Sequence, residues 1–386
     1  MMKLTIERHL KPKLMELFAK FPVVFLTGPR QSGKTTLAKM AFPYVRYFNL
    51  EDPSLRSRIT EDPHGFLKQH ENGIILDEVQ NFPDIFSYIQ LYADERNKPG
   101  QYLFTGSQNF LLNEKISQTL AGRVGILELL PLSYKEISDS YSVHLPDAIY
   151  SGCYPRLYNE NIQPTDFFAA YVQTYIERDV RQIKNVSSLH QFQKFLALCA
   201  GRVGQVVNLS ALGNDCGLSA PTIKQWLSIL ETSYISYLIY PYSMNINKQM
   251  IKMPKMYFYD TGVLCHLLGI RSIDDLKVHF AYGSIFENFV LNEILKSQCN
   301  NGERENIYFL RDAKGHEIDC LIPSQDGNFL CEIKSAATFN KDFVKNVIYY
   351  KGIDPKAKGV VFYNGDQNFE FKGVQVVRFE SMPLLR

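Results

Sequence analysis

Apolar positions fall into short blocks at the start of the chain. Val23 to Leu26 form an uninterrupted apolar run, which gives way to turn residues and then to helical spacing at Leu37, Met40 and Ala41. Such a run reads as a strand buried on both faces, followed by a helix. The same strand pattern returns in GIILD (73–77) and QYLFTG (101–106). This predicts an α/β unit with a parallel sheet over residues 1–131. From about Leu132 to Gly204 the period becomes helical, with Phe168, Val172, Tyr175 and Ile176 on one stripe. Residues 205–280 begin with two short helices, with Ser210 and Ser219 as N-caps and Gly217 in the turn between them. Ile223, Trp226, Leu227 and Leu230 give the second helix an apolar face, and YISYLIYPYS and PKMYFYD then read as strands. From 281 to 386 the order is helix, strand, hairpin, helix and strand.

The hairpin HEIDCLIPSQDGNFLCEIK (316–334) is the most informative of these elements. A two-residue type I′ turn at Asp326-Gly327 would place Asp319 opposite Lys334 and Leu321 opposite Glu332. Alternation then gathers Asp319, Glu332 and Lys334 on one face. The other face holds Ile318, Cys320, Ile322, Phe329, Cys331 and Ile333. Burial worth ~1.5–3 kcal/mol per large apolar side chain should lock this register. The charged face has two readings, a divalent-metal site or an ion-paired surface exposed to solvent.

Composition narrows the class. A chain of 386 residues with 45% hydrophobic and 13% aromatic content suits two or three ordered domains. The net charge of +2 gives no general attraction to polyanions. The first residues lack an apolar stretch of signal-peptide length, and no run is long enough to span a bilayer. The seven cysteines are scattered without metal-ligand spacing. A cytoplasmic protein with no membrane partner is the expectation.

Gly28-Pro29-Arg30-Gln31-Ser32-Gly33-Lys34-Thr35-Thr36, between strand and helix, meets every fixed position of a phosphate-binding loop. Backbone N–H groups and the helix N-terminus would hold phosphate oxygens, Lys34 would neutralise them, and Thr35 would offer a hydroxyl to Mg²⁺. GIILDEVQ ends in Asp77, suited to Mg²⁺, and Glu78, placed to polarise water. Ser107, after the third strand, is the candidate γ-phosphate sensor, ahead of Gln108 and Asn109. Arg123 is a candidate for neutralising transition-state charge, and Arg178 and Arg181 are weaker ones.

These motifs, with LAGRVGILELLPLS, KMYFYDTGV and SIFENFVLNEIL in this order, resemble a prokaryotic group of AAA-type ATPases with an uncharacterised C-terminal region. The resemblance implies ATP and Mg²⁺ as cofactors, hydrolysis through Glu78, and a helical lid over residues 132–204. The pair of helices and following strands resemble a winged helix. Its exposed residues Thr222, Lys224 and Gln225 are thinly charged for DNA, which favours a structural or protein-binding role. The C-terminal element order resembles restriction-endonuclease-like domains. That likeness implies Asp319 and Glu332 as metal ligands, Lys334 as catalytic, and Glu287 as an auxiliary helix acid. Residues 281–386 hold thirteen Lys or Arg against fourteen Asp or Glu. A basic stripe for DNA must therefore come from local clustering or oligomerisation. A nucleotide-dependent switch for a protein partner, and a DNA-stimulated motor without cleavage, remain the alternatives.

Overall fold

The computed structural model describes residues 6–96, 98–107, 119–176, 189–242 and 253–382. The N-terminal sheet is fully parallel and contains β1 (Val23–Thr27), β2 (Arg46–Asn49), β3 (Ile74–Asp77), β4 (Tyr102–Thr105) and β5 (Val124–Glu128). Its order is β2-β3-β4-β1-β5. Residues of β1, β3 and β4 are buried on both faces, which explains their unbroken apolar runs. Placing β4 between β1 and β3 brings three strand ends to one edge: the phosphate loop, Asp77-Glu78 and Ser107.

The helical segment and the helix pair form as expected, with local differences. The helix Pro164–Tyr171 passes into a π-helical turn, Val172–Ile176, and Phe168 is buried. The side chains of Tyr175 and Ile176 lie outside the described residues. Ser219 caps the helix Ala220–Thr232, and Gly217 ends the helix Leu209–Cys216 with φ of 70°. The first helix is capped by Asn208, not Ser210: the Asn208 side chain accepts from the Ala211 N–H at 3.0 Å. Asn is as good a cap as Ser, and its placement brings Leu209 into the first turn. Trp226 meets Phe192 and Phe195 edge-on at 5.2 and 5.3 Å, each contact worth ~0.5–1.5 kcal/mol beyond burial. Strands β6 (Ser236–Ile239) and β7 (Lys255–Phe258) pair antiparallel into a ribbon.

The C-terminal sheet comprises β8 (Tyr308–Arg311), β9 (Glu317–Ile322), β10 (Phe329–Lys334), β11 (Lys358–Tyr363), β12 (Phe369–Phe371) and β13 (Val374–Arg378). Its order is β12-β13-β11-β10-β9-β8, with β10 and β11 parallel across the helix Lys345–Ile353. The expected element order is met, but the hairpin register is not. Cys320 pairs with Cys331, Leu321 with Leu330 and Ile322 with Phe329, a two-residue shift from the expected pairing. Residues 323–328 form a longer loop in place of the two-residue turn. Gly327, at φ of 110°, lies so close to the next loop that a Cβ would sit 2.0 Å from the Lys356 carbonyl oxygen. Lys358 N–H donates to the Asn328 carbonyl at 2.8 Å, which holds the loop away from a tight turn.

Strict alternation also fails. Ile318 packs with Leu321 and Leu330 in one core, whereas Cys320, Ile322, Cys331 and Ile333 belong to the other. The step from Tyr308 to Leu310 on β8 is matched by the longer step from Leu321 to Ile318 on β9. Such a bulge re-aims the residues within it, here Asp319 and Cys320. Both faces of the hairpin are covered, and neither Asp319 nor Glu332 lies on a solvated surface.

The helix Tyr282–Asn300 binds these parts into one body. A single apolar cluster runs from Leu130 through the helical segment, the ribbon and this helix to Phe379. Asn288, fully buried on the helix, accepts from the Phe258 N–H at 2.8 Å and donates to the Phe258 carbonyl at 2.7 Å. Asn288→Ala orphans both backbone groups. The expected destabilisation is about 1–3 kcal/mol per group, read as a lower denaturation midpoint in urea.

Candidate functional site

The phosphate loop is shaped by close backbone approach. Gly28 has φ of 142°, and a Cβ there would lie 2.3 Å from the Leu129 carbonyl oxygen. Gln31 is left-handed at φ of 62°, and Gly33 begins the helix Lys34–Ala41 at φ of 95°. Lys34 folds back over the loop and donates to the carbonyls of Gly28 at 3.0 Å and Pro29 at 2.7 Å. Burial lowers its pKa to about 8, against the raising influence of Glu78 and Asp77. The Ser32 hydroxyl is buried without a hydrogen-bond partner. A phosphate group fits this cradle: it supplies acceptors to Lys34 and Ser32.

Asp77 stands beside the loop and gathers three hydroxyls. Thr35 donates to it at 2.8 Å and Tyr47 at 2.6 Å, and Thr105 is bonded to its other oxygen. A threonine hydroxyl beside a carboxylate is an all-oxygen donor set that suits Mg²⁺. Glu78 follows in left-handed conformation at φ of 54°, a strained setting for a non-glycine residue that aims its side chain out of the strand. Gln80 bridges Glu78 and Ser107, with its amide 3.4 Å from the Ser107 hydroxyl. Pro29, Arg30 and Thr36 lie on the loop and first helical turn as expected. Gln108 and Asn109 lie outside the described residues.

Arg123 is not brought to this site within its own chain. It immediately precedes β5, which runs parallel to β1, so it sits at the strand starts while the loop follows the strand ends. There it is ion-paired with Asp94, Nη2 to Oδ2 at 2.9 Å. Arg178 and Arg181 lie outside the described residues. The cation that does touch the loop is Arg8, which sequence reasoning missed. Its guanidinium donates to the Ser32 carbonyl at 2.7 Å, the Leu130 carbonyl at 2.7 Å and Glu136 Oε1 at 3.1 Å. Glu136 also closes a capping box with Ser133 and accepts from the His9 N–H at 2.6 Å. Burial alone would raise the Glu136 pKa, but Arg8 and the backbone donors hold it below the ordinary value. A lone Arg before the first helix carries no sequence signal for this role, and neither do Tyr47 and Gln80.

The second cluster lies on the C-terminal sheet. Asp319 and Glu332 are only 8% and 4% exposed, which removes the solvated-surface reading. Lys334 reaches Glu332 Oε1 at 2.8 Å and Asp319 Oδ2 at 3.5 Å. Asp319 also accepts from the Ile333 N–H at 2.8 Å. Glu332 Oε2 is buried without a partner. Burial, and then the Asp319 charge, raise the pKa of both Glu287 and Glu332. Glu287 is held by the Tyr257 hydroxyl at 2.5 Å and by Lys255 at 3.8 Å. Lys255 is also ion-paired with Glu317. The structure thus brings Asp319, Glu332 and Lys334 into direct contact and Glu287 into their electrostatic range. Among the described residues, no three His, Cys, Asp or Glu side chains form a ready cation cage. Lys255, Tyr257 and Glu317 were not anticipated: the first two lie on β7, far along the chain from the hairpin, and Glu317 stands two residues before Asp319 without matching any motif position.

Comparison with known proteins agrees with the first cluster. Residues 20–138 match the family model described as AAA domain. Residues 142–274 and 282–382 match two models, each described as a domain of unknown function (DUF8612 and DUF4143). An uncharacterized protein of Mycobacterium tuberculosis is 28% identical over 86% of this chain and 74% of its own length. Another, of Haemophilus influenzae, is 23% identical over 91% of this chain and 92% of its own. The Walker-type ATPase of Pyrococcus abyssi aligns with 68% of this chain and 96% of its own at 13% identity, with a TM-score of 0.48. Among the described residues no helix is long and apolar enough to cross a membrane. The N-terminal part of the chain is similar to AAA domains over residues 20–138 and has the parallel sheet and phosphate loop of a P-loop fold.

Arg8→Met should weaken ATP binding by about tenfold, the loss expected for one charge-assisted contact to the loop, and should lower the melting temperature. Arg8→Lys should not restore binding, because a point charge cannot reach three divergent acceptors. Calorimetric titration with ATP, paired with a thermal melt, reads both effects.

Proposed function

We propose that this protein is a Mg²⁺-dependent ATPase whose nucleotide cycle controls a metal-dependent phosphodiester-cleaving site in its C-terminal domain. The observation that carries the ATPase half is the convergence of Lys34, Thr35, Asp77 and Glu78 at one sheet edge. Lys34 would exchange its contacts with the loop carbonyls for β- and γ-phosphate oxygens. Thr35 and Asp77 would hold Mg²⁺, which neutralises phosphate charge when bound. Glu78 would orient and deprotonate the attacking water, with Gln80 and Ser107 reporting the γ-phosphate to it. Arg8 would transmit loop movement to residues 130–136.

The nuclease half is supported by two buried carboxylates beside a lysine on adjacent strands. That donor set suits a hard divalent cation. Asp319 and Glu332 would hold the ion, with Glu287 as an outer partner, and Lys334 would orient the attacking water and neutralise developing charge. Oε2 of Glu332, buried and unpaired, is an acceptor that such an ion would satisfy. The helix Ala220–Thr232 serves a structural role in this proposal. Trp226 is buried in the core, the hydroxyls of Ser219 and Thr222 bond each other, and Lys224 is the one cation on the helix.

Glu78→Gln should lower ATP turnover by about 10²–10⁴-fold with nucleotide binding retained, whereas Lys34→Ala should lose binding itself. Incubation of plasmid and single-stranded DNA with Mg²⁺ or Mn²⁺, with and without ATP, tests the second half. Cleavage that Asp319→Asn and Lys334→Ala both abolish is the expected result. No cleavage by the wild type under any of these conditions would contradict the nuclease half and leave the ATPase half standing.

A further inference from the structure

Tyr47 reaches the nucleotide site from β2, the edge strand of the N-terminal sheet, and no position of the phosphate-loop motif requires it. Its hydroxyl donates to Asp77 Oδ2 at 2.6 Å, beside the Thr35 hydroxyl, which donates to the same oxygen at 2.8 Å. The sheet register accounts for the approach. Tyr47 pairs with Ile75, and alternation puts Ile75 and Asp77 on one face of β3, so the phenol lies on that face and extends toward the strand end. Its ring packs against the core that holds Ile75, Leu37 and Ala38, between the sheet and the helix Lys34–Ala41. Lys39, on that helix, places its ammonium 3.6 Å from the ring centroid. Thr35 and Lys39 stand one turn apart on the same helix face. A closed circuit results, from the helix through Thr35 to Asp77, on to Tyr47, and back to the helix through Lys39.

We propose that Tyr47 is a positioning residue of the nucleotide site, holding Asp77 in the one orientation from which it meets the divalent ion. The inference rests on the Mg²⁺-dependent ATPase reading of that site and adds a residue to it. An ionised carboxylate offers about four lone-pair sites. Thr35, Tyr47 and Thr105 donate to three of them, which leaves one for the ion or its bound water. Thr35 does not fix the orientation by itself, because its hydroxyl lies within reach of both Asp77 oxygens, at 2.8 and 3.1 Å. The two outer donors do. Thr105 holds Oδ1 from β4 and Tyr47 holds Oδ2 from β2, so the carboxylate is gripped from both strands that flank β3. Hydrogen bonds to an ionised acceptor are roughly twice as strong as neutral ones, and removing Tyr47's hydroxyl frees Oδ2 to turn about the Thr35 contact. Lys39 steadies the ring without touching Asp77, and a cation over an exposed ring edge is the weaker hold.

The test compares the full chain with Tyr47→Phe, which keeps the ring and removes only the bond to Asp77. Three quantities are read: Mn²⁺ affinity of the ADP-saturated chain by electron paramagnetic resonance, ATP turnover against Mg²⁺ concentration, and ADP affinity in excess EDTA by calorimetric titration. Tyr47→Phe should weaken Mn²⁺ binding, and raise the Mg²⁺ concentration for half-maximal turnover, each by about tenfold, the loss of one charge-assisted contact. Its ADP affinity in EDTA should stay at the wild-type value. Lys39→Met should shift both metal readings in the same direction by no more than about fivefold. A phosphate loop loosened as a whole would weaken ADP binding in EDTA as well, so parallel losses with and without metal would overturn the positioning role. A Tyr47→Phe chain that turns over ATP with wild-type metal dependence would also overturn it and leave the ATPase reading standing. A wild-type chain without Mg²⁺-dependent turnover would overturn that reading and the proposal together.

Discussion

The helix Tyr282–Asn300 buries a row of polar side chains, and the architecture follows from the need to satisfy them. Asn288 is answered by the backbone of Phe258, and Asn292 by the Tyr237 hydroxyl at 2.9 Å. Glu293 accepts from the Tyr134 N–H at 2.8 Å. Lys296 donates to the Leu132 carbonyl and to Glu293, each at 2.8 Å. Gln298 accepts from the Asn306 N–H at 3.1 Å. A buried polar group left without its partner costs about 1–3 kcal/mol, so the helix is stable only when ribbon, helical segment and C-terminal sheet are docked together. Five such residues on one helix make the three regions a cooperative unit rather than beads on a string.

In the proposed coupling, the same helix lies on the route between the two clusters. Arg8 ties the phosphate loop to Leu130 and Glu136, and the next residues, Leu132 and Tyr134, rest on Lys296 and Glu293. Glu287 lies on the same helix, at the edge of the C-terminal cluster. The links from Arg8 to the long helix are direct contacts between buried groups, and such contacts change between discrete arrangements rather than continuously.

Much of the fold was legible in the sequence because burial on both faces leaves unbroken apolar runs, as in β1, β3 and β4. The phosphate loop was legible because its chemistry fixes residue types at fixed spacing. The C-terminal element order could also be read, but the hairpin register could not. The register depends on Gly327 packing against Lys356 and on a bulge near Asp319, both contacts with distant residues. The polar row on Tyr282–Asn300 was hidden for a related reason. Periodicity assigns polar positions to solvent, and nothing in ENFVLNEILKSQ announces that Asn288, Asn292 and Lys296 have partners waiting. Arg123 precedes its strand whereas the phosphate loop follows its own, so parallel pairing of β1 and β5 puts the two at opposite ends of the sheet within one chain.

The central claim is that the nucleotide site and the C-terminal carboxylate cluster are mechanically joined through the ribbon and the long helix. Hydrogen exchange of the Glu78→Gln chain with and without Mg²⁺-ATP tests it most directly. The account predicts altered protection in residues 253–260 and 282–296 as well as around the phosphate loop. Changes confined to residues 20–138 would contradict it.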